Sequence, residues 1–330
     1  MSRDAIEELL STQSGVVARR QLLANGLEPC DIERRLRRRE LVPILRGVFV
    51  DHTGEPTWLQ RAWAGVLHYE PAALAHTSAL RAAGGPGRRD HPDDGPIHLA
   101  VGLDRRVTGL DGYRVRRVAH VDTKAQWNRS PPRLRIEEAA LDVAADQASD
   151  FGAIEVLARQ CRSRSTTPER LLSALDGRSR MRRRAWLREV LEDVAAGSCS
   201  VLERGYLSRV ERAHALPRPA RQPPARSDRG TIYRDVEYDE LGLVVELDGR
   251  LFHDTAAQRD RDLDRDLDAA LTERLTVRLG WGQVYDRPCR TAARVEALLR
   301  LRGWDGHAVP CGPDCRLRDD VLEVSTYQVR

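Results

Sequence analysis

The stretch "LGLVVELDGRLFHD", Leu241 to Asp254, opens with a nearly continuous apolar run that breaks into acid. Such a run reads as a strand buried on both faces. Glu246 and Asp248 stand two residues apart, so the pleat aims both at one face. Gly249 ends the run and His253 follows closely. Carboxylates converging on one face repel one another without a cation, so this strand end reads as a metal seat.

Working upstream, "TIYRDVEYDELGLVVELDG" predicts two adjacent strands joined by a turn near Asp239–Gly242. The first carries Asp235, eleven residues before Glu246. Neighbouring strands lie about 4.8 Å apart, close enough for acids on both to share one divalent ion. Mg²⁺ or Mn²⁺ takes oxygen ligands, and Mg²⁺ keeps several waters, which leaves room for a phosphate. Asp235 and Glu246 are the expected metal ligands, Asp248 lies on the same face, and Glu203 on the preceding helix is a fourth acid. Around them, "SCSVLERGYLSRVERAHAL" and "RTAARVEALLRLRGW" read as helices, and "LTVRLGWGQVY" as a further strand. Helices and strands in that order predict an α/β sandwich around a mixed sheet.

The other end of the chain has a different pattern. "AIEELL", "VVARRQLLANG" and "EPCDIERRLRRRELV" read as three short helices, with Gly26 closing the second and Ile32 and Leu36 one turn apart on the inner face of the third. "LVPILRGVFV" then returns as a strand pair bent at Gly47. This is the layout of a winged helix-turn-helix. Its third helix carries Arg34, Arg35, Arg37, Arg38 and Arg39, the chemistry of a helix that reads a major groove and grips phosphates. Between the two ends, "GPGRRDHPDDGP" is a breaker-rich loop within a mixture of helical and strand-like segments. The expected organisation is therefore α/β and multidomain. It comprises a winged helix over 1–52, an α+β middle region over 53–195, an α/β sandwich around a mixed sheet over 196–305 and a tail over 306–330.

Composition sets limits on these readings. The 330 residues leave room for two or three domains, and no apolar run approaches the roughly 20 residues of a membrane span. The N-terminus lacks the apolar segment of a signal peptide, so a cytoplasmic address and no membrane partner are expected. The net charge is only +4, yet Lys124 is the single lysine among 54 basic residues. Arginine's planar fork suits phosphates and guanine edges, which makes its clusters informative. Six cysteines spread over so long a chain predict reduced thiols. In the tail, "HAVPCGPDC" sets His307 beside Cys311 and Cys315, with Cys289 as a fourth residue for Zn²⁺. The spacing is not that of a standard finger, and free thiols are the expectation there.

On the residues from about Ser198 to Trp304, "VLERGYL", "YRDVEY", "VVELDG", "FHD", "QRDRDLDRDLDAAL" and "TVRLGWGQVYDRP" together resemble the PD-(D/E)XK restriction-endonuclease-like superfamily. Within it they are similar to bacterial domains allied to very-short-patch-repair (Vsr) mismatch endonucleases. The first fifty residues, with "LRGVFV" after the arginine-rich helix, resemble the winged-helix domain of AbiEi-type antitoxins. The first resemblance implies a Mg²⁺-dependent endonuclease, with Asp235 and Glu246 as metal-binding acids and Glu203 as the helix acid. It also implies a structural zinc in some relatives, whose ligands do not map onto these cysteines. The superfamily's lysine position is here Asp248, so His253 becomes the candidate general base, and Arg259 or Arg261 a phosphate contact. The second resemblance implies a regulator that binds DNA, with the C-terminal domain serving homodimerisation or holding a toxin partner. Two functions are thus expected in competition: a DNA nuclease of defence or repair, and a DNA-binding regulator on a non-catalytic nuclease fold.

Overall fold

The computed structural model describes residues 3–84, 95–196, 198, 200–221, 224–227, 230–233, 235–249 and 274–317. His253, Arg259, Arg261 and the charged helix expected around them lie outside these residues. The chain is a mixed α/β protein that divides into two compact units, Met1–Val143 and Ala144–Arg330. The division falls within the stretch read from sequence as a single middle region.

The first unit begins with α1 (Arg3–Thr12), β1 (Val16–Ala18), α2 (Arg19–Ala24), α3 (Pro29–Arg37), β2 (Val42–Leu45) and β3 (Val48–Val50). The three strands form an antiparallel sheet in the order β1-β3-β2. Val16 and Val17, expected within the second helix, are instead fully buried in a strand opposite Val50 and Phe49. Their branched, stiff side chains suit a packed strand, and the helix starts only at Arg19. In α3, Pro29 occupies the first turn, where its missing N–H is no loss. Ile32 turns inward to join Ile6, Val17, Leu22, Leu41 and Phe49, with Leu36 packed against them. Burial of a side chain such as Ile32 contributes about 1.5–3 kcal/mol. The same inward turn leaves Arg34 and Arg37 exposed and Arg35 half-buried.

Next comes α4 (Trp58–His68), whose N-cap Thr57 and Gln60 satisfy each other's backbone N–H groups at 3.3 and 2.9 Å. The rest of the unit is built on β4 (Ala73–Leu74), α5 (His76–Gly84), β5 (Ile97–Gly102), β6 (Tyr113–Val118), α6 (Val121–Lys124), β7 (Ala125–Gln126), β8 (Arg133–Leu134) and α7 (Ile136–Asp146). The described strands make a mixed sheet in the order β6-β5-β4-β8-β7. Small residues dominate one of its packed clusters, Ala73, Ala75, Ala100 and Ala125, together with Val121 and Leu134.

In the second unit α8 (Asp150–Arg162), α9 (Pro168–Asp176) and α10 (Arg184–Ala196) precede α11 (Ser200–Gly205), which runs on through a π-helical turn, Tyr206–Glu211. Then follow β9 (Ala220–Arg221), a hairpin of β10 (Pro224–Ser227) and β11 (Gly230–Tyr233), β12 (Val236–Tyr238), β13 (Leu243–Asp248), β14 (Leu275–Gly280) and α12 (Pro288–Leu301). Among the described strands, one sheet runs β14-β13-β12-β9, with β13 parallel to β14 and the other pairs antiparallel. Leu243, Val244, Val245 and Leu247 are all buried, the burial on both faces that the apolar run predicts. Gly242 closes the turn before them at φ +57°, where a side chain would be strained.

Only the first part of "LTVRLGWGQVY" is extended. From Gly282 to Asp286 the chain winds into a π-helical turn, because Trp281, Val284 and Tyr285 all find buried places against the helices. Tyr285 lies so close to Gly205 that a Cβ there would fall 2.6 Å from its ring, and its hydroxyl donates to the Val201 carbonyl at 3.0 Å. Asp193 accepts from the Val201 N–H at 2.6 Å and fixes the start of α11. No helix among the described residues is long and apolar enough to cross a membrane.

Candidate functional site

β13 brings the acids together. Val236 pairs with Val245 at the end of the antiparallel β12–β13 ladder, and Asp235 lies in the bend just before that pair, near enough to Glu246 for the two charges to act on each other. Asp235 is held there by the backbone, since its Oδ2 accepts the Leu247 N–H at 2.6 Å. Burial pushes the Asp235 carboxyl above its ordinary range, the Leu247 hydrogen bond pulls it down, and the Glu246 charge pushes it up again. Asp248 ends the strand on the same face as Glu246, half-buried, beside Gly280 of β14.

Glu246 has a second neighbour that no local pattern in the sequence announces. The parallel register sets it beside Arg278 of β14, whose Nε donates to Glu246 Oε2 at 3.1 Å. The pair is partly solvent-exposed, so the ion pair itself is worth about 1 kcal/mol or less. Its consequence is positional. One arginine holds the Glu246 carboxylate in place and sets a fixed positive charge next to the acids.

The donor set fits Mg²⁺ or Mn²⁺. Asp235 and Glu246 offer hard oxygens close enough to feel each other's charge, and Mg²⁺ is commonly held by one or two carboxylates with water completing its shell. Among the described residues the acids do not close into a cluster of three ligand atoms. Glu203 sits half-buried on α11, two residues from the Val201 carbonyl that anchors Tyr285.

The only group of three or more such ligands that converges among the described residues lies elsewhere in the same unit. His214, Cys289, Cys311 and Cys315 bring one ligand atom each to within 4.8 Å of one another. The histidine in this group is not His307, which is exposed and lies 3.5 Å from Glu296 and 3.4 Å from Arg300. Burial and the neighbouring thiols push Cys311 up to about 12. Burial alone would raise Cys315 as well, but hydrogen bonds from the Cys311 and Leu317 backbone outweigh it and draw that thiol down to about 6. His214 stands 97 residues before Cys311 in the chain, and no local spacing could have pointed to it.

The arginines divide into two kinds. The third helix ends at Arg37, so Arg38 and Arg39 lie beyond it; Arg34 pairs with Asp31 and Arg38 lies 3.8 Å from Glu40, whereas Arg35, Arg37 and Arg39 have no carboxylate partner among the described residues. In the run Arg182–Arg184 the basic charge serves structure. Arg183 donates to Asp150 at 2.8 Å and to the Gln147 carbonyl at 2.9 Å, and Arg184 donates to the Arg178 carbonyl at 2.7 Å.

No protein-family model and no curated protein matches this chain. Among solved structures it is similar to the crystal structure of the RV2827C protein from Mycobacterium tuberculosis. That likeness covers 61% of this chain and 79% of the other, at 20% identity and a TM-score of 0.37.

Proposed function

We propose that the protein binds DNA and that its second unit is a metal-dependent endonuclease-like domain, hydrolysing phosphodiester bonds in defence or repair. The observation that carries this reading is the meeting of Asp235 and Glu246 at the end of β13, with Asp248 on the same face of the strand as Glu246 and Arg278 against Glu246. Acids brought onto one face at the end of a buried strand are destabilising unless a cation offsets their repulsion. On this reading the sheet and helices of the second unit are a restriction-endonuclease-like sandwich, and α1 to β3 form a winged helix. A bound Mg²⁺ would polarise the phosphodiester and neutralise the charge that develops on it.

The chain's own residues do the rest. Asp235 and Glu246 would hold the ion, and the Leu247 N–H fixes the Asp235 carboxylate in place. Arg278 fixes Glu246 and supplies the positive charge that Asp248 cannot. Asp248 is an acceptor, suited to take a proton from the attacking water. Arg35 and Arg37 on α3, with Arg39 just beyond its end, provide salt-sensitive contacts to the phosphate backbone. The proposed surroundings are cytoplasmic.

A second reading is favoured by Asp248 in the lysine position and by a protein cation already seated on Glu246. On it the chain is an antitoxin-like regulator, and the second unit serves dimerisation or partner binding. Nicking of supercoiled plasmid by the purified protein separates the two. With Mg²⁺ or Mn²⁺ the nuclease reading expects nicked circles, none with EDTA, and none from the Asp235→Asn, Glu246→Gln double variant. Intact plasmid across all metals and a panel of mismatched duplexes, with salt-sensitive binding retained, is the outcome that favours the regulator.

A further inference from the structure

We propose that His214, Cys289, Cys311 and Cys315 form a closed, structural zinc site that clasps the segment after α12 to the turn that follows Tyr206–Glu211. The site stands on its own geometry and does not depend on the nuclease reading. Zn²⁺ binds thiolate sulfur at about 2.3 Å and imidazole nitrogen at about 2.0–2.1 Å, with tetrahedral angles. Such a centre places its sulfurs about 3.8 Å apart, and sulfur and nitrogen about 3.6 Å apart. The Sγ atoms of Cys289 and Cys311 are 3.6 Å apart, and Cys315 Sγ lies 3.6 Å from His214 Nε2. A disulfide requires about 2.05 Å between sulfurs, so Cys289 and Cys311 are at ligand spacing and not bonded to each other.

The histidine is prepared for this role. His214 is fully buried, and its Nδ1 lies 3.0 Å from the Val210 carbonyl. That hydrogen bond places the proton on Nδ1 and leaves the Nε2 lone pair directed at the cysteines, the usual outer arrangement of a metal-bound imidazole. Three thiols and one imidazole supply four protein ligands, which leaves no open position for substrate. The role is therefore structural. The ligands come from three separated places: the turn after Tyr206–Glu211, the first turn of α12, and the loop after α12. The loop is further tied by the Val309 N–H, which donates to the His214 carbonyl at 2.9 Å. On binding, the thiols lose their protons to solvent and the ion holds all three segments together.

The test uses the full-length protein, purified without chelator from zinc-supplemented culture, with metal measured by mass spectrometry. About one zinc per chain is expected. Replacement by Co²⁺ should give the visible bands of a tetrahedral thiolate centre. Cys311→Ser, at an exposed position, should lose stoichiometric zinc while keeping its far-ultraviolet circular dichroism, and His214→Ala should lose it as well. His307→Ala should retain the full complement. Zinc-free wild-type protein in the presence of excess zinc overturns the proposal, as does zinc retained by Cys311→Ser or lost from His307→Ala. A Cys289–Cys311 disulfide in freshly isolated, zinc-free protein overturns it too.

Discussion

Arg278 is where the proposed chemistry is most exposed to test. It is the cation nearest the acids in register, so its charge and its hydrogen bond to Glu246 can be removed separately. Arg278→Met should abolish nicking while folding is retained, and Arg278→Lys should keep charge but lose the fork, leaving activity reduced by roughly 10²–10³-fold. Equal activity in Arg278→Met and wild type would remove this residue from the mechanism. A different residue governs acid stability. Asp150 is partly buried, which would raise its carboxyl, but Arg183 and Arg209 bond to it and bring it below the ordinary range. A depressed folded value means the stabilisation is fully present above the unfolded pKa of about 3.9 and is lost as pH falls through the lower folded value. Urea melts from pH 6 to pH 2.5 should therefore show a steeper acid loss for wild type than for Asp150→Asn. At neutral pH the same variant should be less stable by about 1–2 kcal/mol, the value of a hydrogen bond to a charged group reduced by solvent screening.

Elements differ in how far their sequences declare them. β13 is legible because Leu243, Val244, Val245 and Leu247 leave no polar face, and the turn before it because Asp239 and Gly242 supply the turn chemistry. β1 is not: Val16 and Val17 fit a helical period as well as a strand, and only pairing with Val50 and Phe49 decides between them. The neighbour of Glu246 is illegible for a related reason, since a parallel partner 32 residues away is set by register and not by any local pattern. The nearness of Asp235 to Glu246 is legible because only a short turn separates β12 from its partner β13. The end of β14 shows the opposite case, where an apparently strand-like Trp-Gly-Gln-Val-Tyr folds into a turn to bury Tyr285 over Gly205. Gly205→Ala should destabilise the protein by about 1–3 kcal/mol through overpacking. Combining it with Tyr285→Leu should cost less than the sum of the two changes, measured as a double-mutant cycle. Strict additivity would mean that the ring is not what makes this glycine necessary.

At the scale of the whole molecule, one unit is proposed to deliver the protein to DNA and the other to do the chemistry, and salt separates the two contributions. Each arginine–phosphate interaction removed from α3 should lower the slope of log affinity against log salt by about one for duplex DNA. Arg35→Ala with Arg37→Ala should therefore flatten the slope by about two and raise the protein concentration needed for nicking, without altering its metal dependence. An unchanged slope would take α3 out of the DNA-binding surface. The meeting of distant chain segments is the least legible part of the sequence, and the His214 cluster illustrates why. A span of 101 residues separates His214 from Cys315, so the two meet only through the fold. That spacing also puts a clock on the protein's synthesis. At roughly 5–20 residues per second, a ribosome that has made His214 needs about 5–20 s more before Cys315 exists. Throughout that interval the turn after Tyr206–Glu211 must wait without the partner that covers it. A nascent chain stalled before Cys311 would therefore leave His214 without Cys311 and Cys315 beside it, more open to water and to proteases.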